Sequence, residues 1–403
     1  MTRSADYTIQ GFLYQFNKTL LEILNSNNDS IITIEGIEDI DIESKSDIEL
    51  VQCKYHESSK KFNLSAVYKP ILQMLKHFYN NQDKKISYKL YCYFPSQTTE
   101  KLAITFDQLK EVINSENDSL SSLIEELRKY LTKGDGFIKE FITRFVIEFG
   151  NSYDELTKQN YTALKNNGFN DSDIETLIYP NAINEIASYA IKHNIDHRKL
   201  KKDDLINKLT SIKTTIISKW TRELKNFDKI LQTKRKQLKV NLDKNSRLRY
   251  FIINDLSLDD FNDLIVTFIS DYIEKYHFKA HLHNKTPLFC LDCSIDAFKD
   301  INLRLYKKDI KVNNGYIIDG HWDEKAFFRE PIVNKNNKEF LIRLMHHSSN
   351  DIAVLNKYKC DDLFIIGDCN IEGLEQQDIT IESLELNKIQ QVKYVMGMSN
   401  VYE

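Results

Sequence analysis

The chain has 403 residues, with 55 Lys+Arg against 59 Asp+Glu and a formal charge of −4. At roughly 150 residues per domain, this length accommodates two or three domains with buried cores. A hydrophobic share of 41%, a charged share of 28%, and only 5 Pro and 11 Gly exclude a disordered, collagen-like or linker-rich chain, and the near-neutral balance excludes a generally basic nucleic-acid binder.

No apolar run approaches the ~20 residues of a membrane span. The N-terminal MTRSADYTIQGFLYQF has no basic stretch followed by an apolar one, so a cytoplasmic protein without membrane contact is expected. The cysteines, Cys53, Cys92, Cys290, Cys293, Cys360 and Cys369, are too sparse for a disulfide framework and are expected to stay reduced.

In chain order, residues 11–25 place Phe12, Phe16, Leu20 and Ile23 near one helical face. Residues 31–42 and 48–55 alternate with β-branched side chains and predict two strands around the polar turn ESKSD. Helical spacing returns over 65–80, and ISYKLYCYF at 86–94 predicts a buried strand ended by Pro95. From about 101 to 240 the apolar spacing is helical, in segments such as SLIEELRKYL, FIKEFITRFVIEF, NAINEIASYAI and DDLINKLTSIKTTIISKWTRELK. Strands return after about 246 in RLRYFIIND, PLFCLDCS, NLRLYKKDIKV, FLIRLMHH and DDLFIIGD. The expectation is an α+β chain of three parts: an α/β core over 1–100, a helical region over 101–240, and a C-terminal α+β domain over 241–403.

The sharpest local feature spans residues 32–56, ITIEGIEDIDIESKSDIELVQCKYH. Between Asp29 and Glu49 lie eight acidic residues, Asp29, Glu35, Glu38, Asp39, Asp41, Glu43, Asp47 and Glu49, against the single Lys45. Crowding carboxylates onto short strands is unfavourable without a cation. Strand alternation puts Asp39 and Asp41 on one face, and Gln52 and Lys54 together on the returning strand. A carboxylate, an acid or amide, and a lysine two positions later suit metal-assisted phosphodiester cleavage. The oxygens of Asp39, Asp41 and Gln52 hold Mg²⁺ (or Mn²⁺), and Lys54 steadies the attacking hydroxide or the phosphorane charge. Glu22, on the preceding helix, is a further candidate carboxylate. A bland alternative is an acidic edge hairpin with Lys54 in a surface ion pair.

GFLYQ (11–15), IEGIEDIDI (34–42) and ELVQCKYH (49–56) together resemble the PD-(D/E)XK endonuclease domain of bacterial antiphage defence effectors, found in CBASS effectors and in the nuclease subunit of Lamassu systems. The resemblance covers about residues 5–95 and continues loosely through YPNAINEIASYAI, HRKLKKDDLINKL and IKTTIISKWTREL. It implies a restriction-endonuclease-like core, with the catalytic aspartate at Asp39 or Asp41 (Asp39 preferred), Gln52 at the second acidic position, Lys54 as the catalytic lysine and Gln15 orienting the site. A glutamate is commoner where this chain has Gln52. The resemblance also implies double-stranded DNA as substrate and self-association on activation. The trigger is then either docking with an SMC-like ATPase and a small accessory subunit, the reading preferred on sequence, or a cyclic oligonucleotide bound by the C-terminal part. The rivals are a metal-dependent RNase and a non-catalytic DNA-binding or scaffold module.

Two further clusters stand out. His277, His281 and His283 precede Cys290 and Cys293 and have zinc-ligand chemistry, but strand alternation separates the two cysteines and argues against a structural Zn²⁺. The stretch 222–249 holds ten basic residues against three acidic ones. Its first part, Arg222, Lys225, Lys229, Lys234, Arg235 and Lys236, is a candidate DNA-tracking helix, with a solvated face as the alternative. No Walker A or GxSxG motif occurs.

Overall fold

The amphipathic N-terminal stretch forms α1 (Arg3–Asn25), which buries Leu13, Phe16, Leu20 and Ile23 and leaves Phe12 40% exposed. It begins the first of two units, 1–213 and 214–403, in a computed structural model that describes residues 3–402 except 46, 58, 60, 132–134, 280–281, 319, 336 and 350–351. Among the described residues no helix is long and apolar enough to cross a membrane.

In the first unit α1 is followed by β1 (Ile31–Ile34), β2 (Ile40–Glu43), β3 (Ile48–Tyr55), α2 (Tyr68–Asn80) and β4 (Ile86–Tyr93). Then come β5 (Lys101–Leu102), α3 (Phe106–Ile113), α4 (Ser121–Leu131), α5 (Gly136–Arg144), β6 (Phe145–Phe149) and α6 (Tyr153–Asn166). The unit ends with α7 (Asp171–Asp173), α8 (Tyr179–Ala190), β7 (Lys199–Leu200) and α9 (Lys202–Ser211). The sheet order is β5–β6–β4–β3–β2–β1–β7. β1, β2 and β3 form an antiparallel meander, α2 crosses over, and β4 and β6 run parallel to β3. The face carrying Leu50, Tyr88, Leu90 and Cys92 packs against Leu72, Leu75, Phe78 and Phe141 of α2 and α5. The other face receives α1, whose Tyr14 stacks among Tyr55, Tyr91 and Tyr93.

Two expectations change here. The run 31–42 is two strands, because Glu35 adopts a left-handed φ of +54° and the chain reverses through Gly36. FIKEFITRFVIEF is half helix and half strand: the alternation of Phe145, Ile147 and Phe149 lets β6 complete the free edge of β4.

The second unit opens with α10 (Lys219–Arg222), α11 (Phe227–Leu242), β8 (Arg249–Asn254), α12 (Phe261–Tyr276), β9 (Leu288–Asp292), α13 (Ile295–Lys307) and β10 (Val312–Asn313). Small elements follow: the hairpin β11 (Tyr316–Ile318) and β12 (His321–Trp322), α14 (Glu324–Phe328), and the hairpin β13 (Val333–Asn334) and β14 (Asn337–Lys338). The unit closes with β15 (Ile342–His346), β16 (Asp362–Ile366), β17 (Thr380–Leu384) and α15 (Ile389–Val395). Six strands, ordered β10–β15–β9–β8–β16–β17, are all parallel. The near-continuous apolar runs are those of strands buried on both faces. Phe251 stacks between Phe289 at 4.7 Å and Phe364 at 5.0 Å, a ladder across three central strands.

The chain is therefore mixed α and β, as expected, and the main sheet of its C-terminal part is parallel. The expected strand NLRLYKKDIKV (302–312) is instead the second half of α13, whose Ile301 and Leu305 are buried four residues apart, and only at Val312 does β10 begin. The region 101–240 is not a body of its own: the unit boundary falls between 213 and 214, and α11 belongs to the second unit. Strand β6 ties the earlier helices to the first sheet, and an ion pair from Lys234 to Glu382 of β17 ties α11 to the second.

Candidate active site

The turn 35–39 between β1 and β2 is built by Asp41. Its Oδ2 accepts the Ile37 N–H at 2.7 Å, its Oδ1 accepts the Glu38 N–H at 3.0 Å, and the residue is 4% exposed. Gly36 is required beneath it, because a Cβ there would overlap the Asp41 carboxylate. The Glu35 N–H donates to the Asp39 carbonyl at 3.0 Å and closes the turn.

Asp39 faces the other way, onto β3. Its Oδ2 accepts the Cys53 N–H at 2.7 Å and the Gln52 side-chain amide. No hydrogen bond among the described residues engages Asp39 Oδ1 or Gln52 Oε1. Lys54, half-buried on the same face of β3 as Gln52, makes no ion pair within 4 Å among the described residues. Its charge still acts on both Asp39 and Glu38. Asp39 and Asp41 thus turn to different partners, Asp41 to the turn amides and Asp39 to β3, and of the two it is Asp39 that has an oxygen engaged by no hydrogen bond among the described residues.

The electrostatics follow from this crowding. Burial pushes the Glu38 carboxyl up to about 8, with Asp39 and Asp41 adding to the shift and Lys54 opposing it. Burial likewise raises Asp39 to about 6, against the Cys53 amide, Lys54 and Gln52, which favour its charged form. Asp41 also rises to about 6 through burial, opposed by its two turn amides. The cluster carries more negative charge than Lys54 cancels. Among the described residues no group of three His, Cys, Asp or Glu is arranged around a metal position. The open oxygens of Asp39 and Gln52 fit a hard cation that keeps much of its water shell, as Mg²⁺ does.

Gln15, buried on α1, donates to Glu35 Oε1 at 2.5 Å and so touches the turn. Glu22 does not join the site. It pairs with Lys18 at 2.7 Å on the α1 side of the sheet, opposite Gln52 and Lys54, where Lys18 also lies 4.1 Å over the Tyr91 ring. Sequence reasoning missed the part played by Glu38 and by Arg198, whose Nη1 donates to the Glu35 carbonyl at 2.6 Å. Gly36 within a β-branched run was the available sign of a turn.

The basic stretch is divided between the interior and the surface. Lys234 pairs with Glu382 at 2.5 Å with both side chains buried. Arg235 donates to the Ser399 carbonyl and Asn400 Oδ1 at 2.8 and 2.9 Å and lies over the Tyr394 ring. Neither presents its charge to a phosphate backbone, which corrects their assignment to DNA. Lys225, Lys229 and Lys236 are exposed and Arg222 half-buried.

Of the zinc-type residues, His277 and His283 lie together with ring centroids 5.8 Å apart, but both face Lys338. Cys290 lies in the core on β9, His277 Nε2 meets Lys338 Nζ at 2.9 Å, and His283 Nδ1 accepts the Lys279 N–H at 3.0 Å. His281 lies outside the described residues.

The second unit has a cavity of about 540 Å³ at the carboxyl end of β15, beside α13. Phe298, Lys299, Asn302, Asn314, Tyr316 and His346 contribute to its wall. At the crevice between β8 and β16, where the strand order reverses, the Asp368 N–H donates to Ser257 Oγ at 2.9 Å, while Asn254 Nδ2 donates to Asp292 on β9 at 2.9 Å.

No family model and no curated protein matches the chain. Among solved structures it is similar to the Acinetobacter baumannii Cap4 SAVED/CARF-domain containing receptor with the cyclic trinucleotide 2'3'3'-cAAA, at 15% identity over 97% of this chain and 94% of that one, with a TM-score of 0.31. The same receptor with 3'3'3'-cAAA gives 12% identity, equal coverage and a TM-score of 0.30.

Proposed function

We propose that the chain is a metal-dependent DNA endonuclease effector of bacterial antiphage defence, with its nuclease in the first unit and a small-ligand sensor in the second. The observation that carries the nuclease reading is the Asp39–Gln52–Lys54 arrangement. One carboxylate is fixed by the Cys53 amide with an oxygen left open, and an uncancelled lysine stands on the same strand face as the glutamine. It sits on a helix, a three-strand meander, a crossover helix and a parallel strand.

In this reading Asp39 and Gln52 hold Mg²⁺, which when bound neutralises the scissile phosphate and acidifies a water. Lys54 supplies positive charge where the attacking oxygen and the phosphorane develop negative charge. Asp41 keeps the turn that aims Asp39, and Gln15 steadies Glu35.

For the trigger, a parallel open sheet with a cavity at a strand's carboxyl end favours a ligand sensor, since ligands of such sheets bind at that end. Lys299 suits a phosphate, Asn302 and Asn314 a base edge, and Tyr316 a stacked ring. This supports activation by a cyclic oligonucleotide, as in CBASS, over docking to an SMC-like ATPase. On sequence, docking is preferred because 246–403 is short for a duplicated sensor fold and shows no nucleotide pocket; the cavity bears on the second ground.

The test is plasmid cleavage with Mg²⁺ at rising protein concentration, with and without cyclic oligonucleotides, for wild type, Asp39→Ala and Lys54→Ala. Ligand-stimulated nicking that both substitutions abolish is the expected result. Cleavage that survives Lys54→Ala overturns the site. Stimulation by an SMC-like partner alone restores the docking trigger.

A further inference from the structure

We propose that Arg198 is a positioning residue for the Asp39 site. It acts through the backbone of the turn 35–39, and the inference rests on the nuclease reading for its link to metal binding. Glu35 is one of four non-glycine residues with positive φ among the described residues, and the only one of the four beside the candidate site. A non-glycine residue holds the left-handed region only when its surroundings over-determine it.

Three contacts supply that constraint. The Glu35 N–H is taken by the Asp39 carbonyl, its side chain by Gln15, and its carbonyl by Arg198 Nη1 at 2.6 Å. Of these, only Arg198 reaches the turn from the C-terminal end of the unit. Its own position is fixed: Nε donates to the Lys192 carbonyl at 2.6 Å, and the next residues, Lys199 and Leu200, pair with Thr33 and Ile32 of β1. The guanidinium is a rigid fork tied to two backbone carbonyls, one on each side of the gap. Releasing it leaves the Glu35 peptide free to rotate, and the Asp39 carboxylate, whose backbone closes the same turn, loses its aim at β3.

Arg198→Ala is compared with Arg198→Lys and wild type in the full chain by amide hydrogen exchange and by Mn²⁺ titration. Expected is at least tenfold faster exchange at residues 35–41 with β4 amides unchanged, and Mn²⁺ affinity about tenfold weaker, the usual effect of losing an outer-shell support. Arg198→Lys falls between, since an ammonium does not span both carbonyls, and added guanidinium restores part of the loss in Arg198→Ala. Unchanged protection at 35–41 overturns the proposal, as does a loss spread evenly over β3 and β4. Asp39→Asn serves as the separate control. If it binds Mn²⁺ as wild type does, the nuclease reading fails, while the exchange data still decide the role of Arg198.

Discussion

In the second unit buried cations meet anions: Lys234 with Glu382, Arg249 with Asp362, Arg343 with Glu330 and Lys393 with Asp271. In the first unit the turn before β2 gathers Glu38, Asp39 and Asp41, and Lys54 makes no ion pair within 4 Å among the described residues. Burying charge is unfavourable in both places. In one it is cancelled within the fold. In the other the imbalance stays, and its sign is the one that a cation would relieve. A run of ten basic residues is conspicuous in a sequence, yet cancellation and not abundance separates framework from site.

The strongest way to sharpen this contrast is Lys234→Ala. It strands Glu382 in the core and is expected to lower stability by about 3–5 kcal/mol in urea unfolding, leaving DNA affinity of the folded protein unchanged. Lys54→Ala should do the reverse. Stability falls only slightly, through the lost attraction to Asp39 and Glu38, while cleavage falls about 10²–10³-fold, roughly 2.7–4 kcal/mol of transition-state stabilisation. Asp41→Asn exchanges one acceptor of the turn for a donor and should cost about 1–3 kcal/mol. Its loss of activity would then track loss of structure, whereas that of Asp39→Asn would not.

The pH response follows with its sign. An unfolded chain releases carboxyl protons near pH 4, but the folded turn holds those of Asp39 and Glu38 to about pH 6 and 8. The folded state binds more protons across that window, so metal-free stability should fall as pH rises from about 4 to 8. Calorimetry should show a Tm decline of a few degrees, erased by saturating Mg²⁺. A Tm that climbs over this range without metal would break the comparison. The smallest effect belongs to Lys236→Ala on the exposed face of α11, expected within about 0.5 kcal/mol of wild type in stability.

What could be read in advance follows the range of the interactions involved. The helix of 11–25, the strand of 48–55 and the Gln52–Lys54 spacing are local patterns, and they appear in the fold as α1, β3 and a shared strand face. The turn at 35–39 was hidden because Ile32, Ile34, Ile37, Ile40 and Ile42 keep a β-like texture through it, with Gly36 the single interruption. Strand β6 was hidden because FVIEF follows directly on a helical repeat and becomes a strand only through the free edge of β4. The work of Lys234, and that of Arg198 on Glu35, depends on partners 148 and 163 residues away in sequence. No periodicity records such distances.

That last separation bears on the order of synthesis. Asp39, Gln52 and Lys54 leave the ribosome close together, and the meander that carries them needs only short-range contacts. The fastening of their turn is made much later, when Arg198 and the edge strand β7 emerge. Because domains fold as units during translation, a nascent chain that stops short of this point would display Asp39, Gln52 and Lys54 on a loose turn. The candidate site is thereby completed near the end of its own unit, shortly before the second unit begins to be made.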